Sequence, residues 1–130
     1  MNKPRFRAEQ LLQDASSACS NYDGSLDKIK GLVDPLPLLI RRHGLAVTLH
    51  YLRHRKCEPE AQDGEEAEWV ICQAFSLDRW LADGIPGSGP DQKIDYICKC
   101  PTREYGVLSE RMYALFEALR TAVQAHQAVT

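Results

Sequence analysis

The strongest chemical signal in the chain lies between Pro35 and Cys57. This stretch holds Arg41, Arg42, Arg53, Arg55 and Lys56, with His43, His50 and His54, and contains no carboxylate. The eleven residues that follow, Glu58 to Glu68, reverse the sign, with six acids and no base. Arginine is always charged and presents a planar fork of donors that fits a phosphate. An uncompensated basic helix pair therefore suits an oligoanion, because each neutralised phosphate releases counterion. Lys28 and Lys30 are outer candidates for the same contact. The same cations also read as a solvated helical face, held near the acidic run by surface pairs of small value. The acidic run itself reads as a solvated loop and helix start.

Other constellations carry less. His50, His54 and Cys57 share a helix face at spacings of four and three, and imidazole with thiolate suits zinc. No fourth ligand or partner motif accompanies them, so a wet basic face with a bystander thiol is the competing reading and no metal is expected. Cys98-x-Cys100 lacks the two-residue spacer of a redox or zinc pair. Cys19 lies on an apolar stripe and reads as inert. His43, among Leu36, Leu39 and Ile40, reads as a satisfied core histidine. The segment Gly84 to Pro90 is glycine-rich but has neither the Lys-Ser/Thr nor the preceding strand of a phosphate loop. Trp69, Trp80 and Tyr113 read as core or interface anchors. No nucleophile with base and orienter can be assembled, and no carboxylate pair stands out. The expectation is a protein with no catalytic residue, no metal and no cofactor.

The elements that must position these residues are helical nearly throughout. Ala8, Leu11, Leu12, Ala15, Ala18, Cys19 and Tyr22 draw one apolar stripe at spacings of three and four. Gly24 can end that helix in a left-handed cap. Asp34-Pro35 reads as a helix start, with Asp34 as cap and Pro35 at the first helical position. Leu36, Leu39, Ile40 and His43 share an inner face, and Gly44 is an elbow or a weak point within a longer helix. Leu45, Leu49 and Leu52 carry the face on to about Lys56. Residues 65 to 82 predict one further helix, with Val70, Ala74, Leu77 and Leu81 in line. A short helix follows from about Asp91 to Lys99. Thr102 can cap a last helix carrying Tyr105, Leu108, Met112, Leu115, Leu119 and Ala122. No alternating strand is present.

The chain has 130 residues, 44% of them hydrophobic, and a formal charge of -2. That length predicts one domain, and its net charge gives no hint of nucleic acid or membrane. No apolar run approaches the length of a spanning helix. No apolar signal region follows the basic residues of the N-terminus. The five cysteines, an odd number, are then expected to be reduced thiols in a cytoplasm. The fold expected is all-α: a single compact helical bundle of five to seven helices over 1–130, with a flexible loop near 83–90.

Several stretches, in order, resemble one family. Leu36-Pro37-Leu38-Leu39-Ile40-Arg41-Arg42-His43-Gly44-Leu45 resembles a characteristic Leu-Pro-x-x-Ile-Arg-x-Asn-Gly-Leu run that is followed, as here, by an apolar helix ending in basic residues. Leu77-Asp78-Arg79-Trp80-Leu81 resembles a later Trp-Leu helix end. Tyr105 through Thr121, with Ser109 four residues after the tyrosine, resembles a C-terminal helix, and Arg7-Ala8-Glu9-Gln10 fits a first helix. The family is the small α-helical subunit of type III-B CRISPR effector complexes, the Cmr complexes. His43 replaces its usual Asn, and Ala118-Leu119-Arg120-Thr121 replaces its Trp-Leu-Lys-Arg. The resemblance implies a non-catalytic scaffold of antiviral defence that stacks head-to-tail along the inside of the effector filament. It implies contact with paired guide RNA and target RNA through basic surfaces, and with other copies, the backbone subunits and the large subunit. A helical protein–protein adaptor without a nucleic-acid role is the alternative, with Trp69, Trp80 and Tyr113 as its anchors.

Overall fold

The computed structural model describes the backbone of residues 4–24, 26–58, 60 and 62–129, and the side chains of 9–24, 26–58, 60 and 62–127. The helices are α1 (Pro4–Asn21), α2 (Leu26–Val33), α3 (Leu36–His43), α4 (Leu45–Cys57), α5 (Gly64–Ala74), α6 (Arg79–Gly84), α7 (Pro90–Lys99) and α8 (Thr102–Val129). Among the described residues there is no strand, so the fold is all-α as the periodicity requires. Only Gly44 separates α3 from α4, so the two form one bent helix.

The long helix α8 organises the rest. Leu108, Met112, Leu115, Phe116, Leu119, Ala122 and Val123 recur along it at helical spacing and are all buried. Helices α1, α2, α3, α5 and α6 pack against this stripe. Helix α4 joins the core through Leu45, Leu49 and Leu52, between α5 and α7. Cys19 lies in the core, where burial pushes its thiol up to about 11, as its place on an apolar stripe implies.

Several local expectations are corrected. Asp34 does not cap α3: Pro35 occupies that position, and the Asp34 carboxylate instead meets Lys30 Nζ at 2.7 Å. Gly24 is not left-handed, since the positive-φ glycines are Gly44 and Gly87; a side chain at Gly24 would run into the Tyr22 ring. Leu12 and His43 are exposed rather than inward. The helix expected over 65–82 breaks at Phe75. There Ser76 Oγ donates to the Cys72 carbonyl, and Asp78 starts α6 by accepting from the Trp80 N–H. Helix α2 has no counterpart among the stripes read from sequence, because its apolar set of Ile29, Leu32 and Val33 spans barely one turn.

Glu66 is likewise not solvated. It is 7% exposed and accepts a hydrogen bond from the Tyr22 phenol at 3.2 Å, while Tyr22 packs on Trp69 with ring centroids 4.9 Å apart. Burial first, then the Glu66 charge, pushes Tyr22 up to about 12. Among the described residues no helix is long and apolar enough to cross a membrane.

Two outcomes follow from this packing. Leu115 is fully enclosed, so Leu115→Ala should lower unfolding free energy by about 2–5 kcal/mol in urea titrations. An unfolded tyrosine titrates near about 10, so the raised Tyr22 contributes stability that is complete below that pH. That contribution is lost as pH climbs through about 12. Tyr22→Phe should reduce the loss of stability over this alkaline window, read as the urea midpoint against pH.

Candidate nucleic-acid interface

The bend between α3 and α4 is built around Gly44. Its φ of 92° lies in the left-handed region that favours glycine, and an added Cβ would stand 3.0 Å from the Tyr105 hydroxyl. That hydroxyl accepts from the Ala46 N–H at 3.0 Å, fixing the start of α4 against α8. The Gly44 carbonyl accepts from both Thr48 N–H and Thr48 Oγ1. The elbow turns the last residues of α3, Arg41, Arg42 and His43, to the surface.

The cations of this stretch are not uncompensated. Carboxylates distant in sequence come to them. Arg41 Nη1 lies 3.2 Å from Glu110 on α8, with its guanidinium 3.9 Å from the Tyr113 ring centre. Tyr113 and Glu110 together raise Arg41 further above the usual arginine value. On α4, Arg53 reaches Asp95 at 3.4 Å and Asp91 at 3.8 Å. Arg55 makes a two-bond fork to Asp63, at 3.2 and 2.6 Å, which raises it as well. Lys28 Nζ donates to the Gln62 carbonyl, and Lys30 is paired with Asp34. Arg42 is exposed and has no ion pair among the described residues; Lys56 is also unpaired, in a groove with Glu65, Glu66 and Glu68.

The seven candidates do not form one surface. Arg53 and Arg55, two residues apart, point about 200° apart around α4, one to α7 and the other to the α4–α5 connection. The contiguous part is the elbow pair Arg41–Arg42. Lys99 and Arg103, exposed where α7 meets α8 and without an ion pair among the described residues, add positive charge that the sequence reading passed over. A cation on each side of Pro101 was the available signal.

The remaining candidates are also placed. His50, His54 and Cys57 are exposed on one face of α4 as their spacing implies. They diverge in partners: His50 meets Cys98, and His54 meets Glu58 at 3.3 Å. No group of three metal-binding side chains forms among the described residues. Trp80, 45% exposed, borders a cleft of about 630 Å³ between α1, α6 and α8. Arg111 stacks over Trp80 at 4.6 Å and forks onto Asp78 at 2.8 and 3.1 Å.

An all-α chain with two adjacent exposed arginines at the elbow of a bent helix pair therefore emerges from sequence and packing together. A family model described as CRISPR-associated protein (Cas_Cmr5) matches residues 4–126, and the chain belongs to that family. It is a small subunit of the Cmr, type III-B, kind. No curated protein and no solved structure matches it.

Asp78 holds both the α6 cap and the Arg111 fork. Asp78→Ala should cost about 1.5–5 kcal/mol in urea unfolding, the sum of a lost cap and a largely buried arginine left unpaired. Asp78→Asn keeps the capping oxygen and should cost less.

Proposed function

We propose that this chain is a non-catalytic structural subunit of a type III CRISPR ribonucleoprotein in antiviral defence, working in the cytoplasm as one helical domain over 1–130. Copies stack along the complex beside its backbone and large subunits. Their basic elbow contacts the phosphates of guide RNA and target RNA. Base pairing supplies the sequence specificity, so the protein needs only shape and charge readout.

The observation that carries this reading is Arg42, exposed and unpaired beside Arg41 within a family match spanning 4–126. Arg41 and Glu110 are 51% and 69% exposed, so their pair is worth about 0–1 kcal/mol and a phosphate can displace the carboxylate. The Arg55 fork is harder to open, with Asp63 only 16% exposed. Phosphate contact therefore falls first to Arg42, then Arg41. Arg53, Arg55, Lys56, Lys28 and Lys30 contribute mainly through the local field. The adaptor alternative draws on the exposed Trp80 and its cleft, which offer an aromatic anchor to a protein partner.

One chain should bind RNA weakly and a row of chains strongly, since each added copy meets a strand already held nearby. Replacing Arg41 and Arg42 together by Ala should weaken target binding by the assembled complex about equally for all sequences. It should also reduce the slope of log affinity against log salt by roughly 0.7–0.9 per lost contact, the range from single-stranded to duplex nucleic acid. Glu65→Gln with Glu68→Gln, both on exposed positions of α5, is the charge-change control. An arginine variant that assembles normally and keeps affinity and slope would transfer support to the adaptor reading.

A further inference from the structure

Where α7 lies along α4, five side chains form a chain of contacts that the RNA reading does not use. Cys98 Sγ stands 3.2 Å from His50 Nε2, and His50 Nδ1 stands 3.0 Å from Arg53 Nη2. Arg53 Nη1 in turn donates to Asp95 at 3.4 Å, with Asp91 at 3.8 Å. The register is antiparallel: residues 50 and 53 of α4 face residues 98 and 95 of α7.

Chemistry orders this chain. Guanidinium has donors and no acceptor, so the Arg53 contact requires Nδ1 of His50 to accept. The single hydrogen of a neutral imidazole then sits on Nε2, aimed at the Cys98 sulfur. Asp95 holds Arg53, Arg53 fixes the ring, and the ring presents a donor to sulfur. Charge that develops on sulfur as its proton leaves is met by that N–H, with a guanidinium behind it.

The other thiols lack such surroundings. Cys19 is in the core and pushed up to about 11, and Cys100, also raised by burial, donates to the Ile97 carbonyl at 3.4 Å. Cys57 and Cys72 are exposed, as Cys98 is, but among the described residues only Cys98 of the three has a hydrogen-bond contact to an imidazole. From this contrast we infer that Cys98 is a nucleophilic thiol site, open to modification by small soft electrophiles, with His50 as its positioning residue.

The step is a simple displacement. The thiol proton passes to solvent, the sulfur lone pair forms a bond to carbon, and the leaving group departs with the electrons of the broken bond. No net redox change occurs. The adduct then occupies the seam between α4 and α7 and separates Cys98 from His50.

Iodoacetamide is the probe: the S–C bond forms as the C–I bond breaks and iodide leaves. Native full-length chain treated with limiting reagent and read by peptide mass spectrometry should carry label on Cys98 about tenfold sooner than on Cys57 or Cys72. His50→Ala uncovers the sulfur, so a mere neighbour contact would leave the rate unchanged or raise it. Loss of the donor should instead slow labelling to the rate of Cys57. Arg53→Gln, which releases the ring, should slow it in the same direction, and circular dichroism checks that both variants stay helical. Equal labelling of the three exposed cysteines in the native chain, or a Cys98 rate that His50→Ala does not lower, would overturn the assignment.

Discussion

Everything in this molecule is hung on the apolar stripe of α8. A 28-residue helix is about 42 Å long, and no isolated helix of this composition keeps such a face in water at equilibrium without partners. Five other helices cover it, and the buried side chains along it form one continuous cluster with those of α2, α4, α5 and α7. The remaining packing follows from that demand. Helix α5 ends before Phe75, and after the break Leu81 of α6 is buried in the same core. Lys93, on α7, ties down the preceding connection by donating to the Ala82 and Ile85 carbonyls.

The Gly44 elbow is the second constraint, and it decides which charges stand free. The helical run from 36 to 57 is interrupted at a single residue. The left-handed glycine bends it, and the Tyr105 hydroxyl fills the corner and takes the otherwise unpaired Ala46 N–H. One consequence is unequal treatment of two adjacent arginines. Arg41 lies back over Tyr113 and Glu110, while Arg42 points to solvent. Under the proposed role the first must exchange its partner on binding, whereas the second meets phosphate with nothing to give up.

Electrostatics in the chain is a matter of geometry more than of count. Asp63, Asp91, Asp95 and Glu110 come from the α4–α5 connection, α7 and α8 and sit on the arginines of α3 and α4. Their effect is to fix side chains rather than to add much stability, since exposed pairs contribute little. The Arg53 pair is the clearest case, because its carboxylates set the guanidinium that in turn sets His50 against Cys98.

The all-helical class, the α8 stripe, the burial of Cys19 and the elbow at Gly44 were legible in the chain itself, as was the exposure of His50, His54 and Cys57. These are periodic or single-residue properties: a 3.6-residue repeat and a backbone position suited to glycine are written locally. The residues of the elbow, Leu36 through Leu45, carried the family resemblance as well. What the chain could not display was compensation. No carboxylate lies between Pro35 and Cys57, yet Arg41, Arg53 and Arg55 each have one, because their partners lie 69, 42 and 8 positions away. Nor could the spacing of Asp34 reveal that Lys30 would hold it, or the acidic run reveal that Glu66 would turn inward to Tyr22. Sequence determined which faces must be apolar and where the backbone must bend. Only the tertiary structure decided which charges meet, because helices are joined across the core by burial and not by order along the chain.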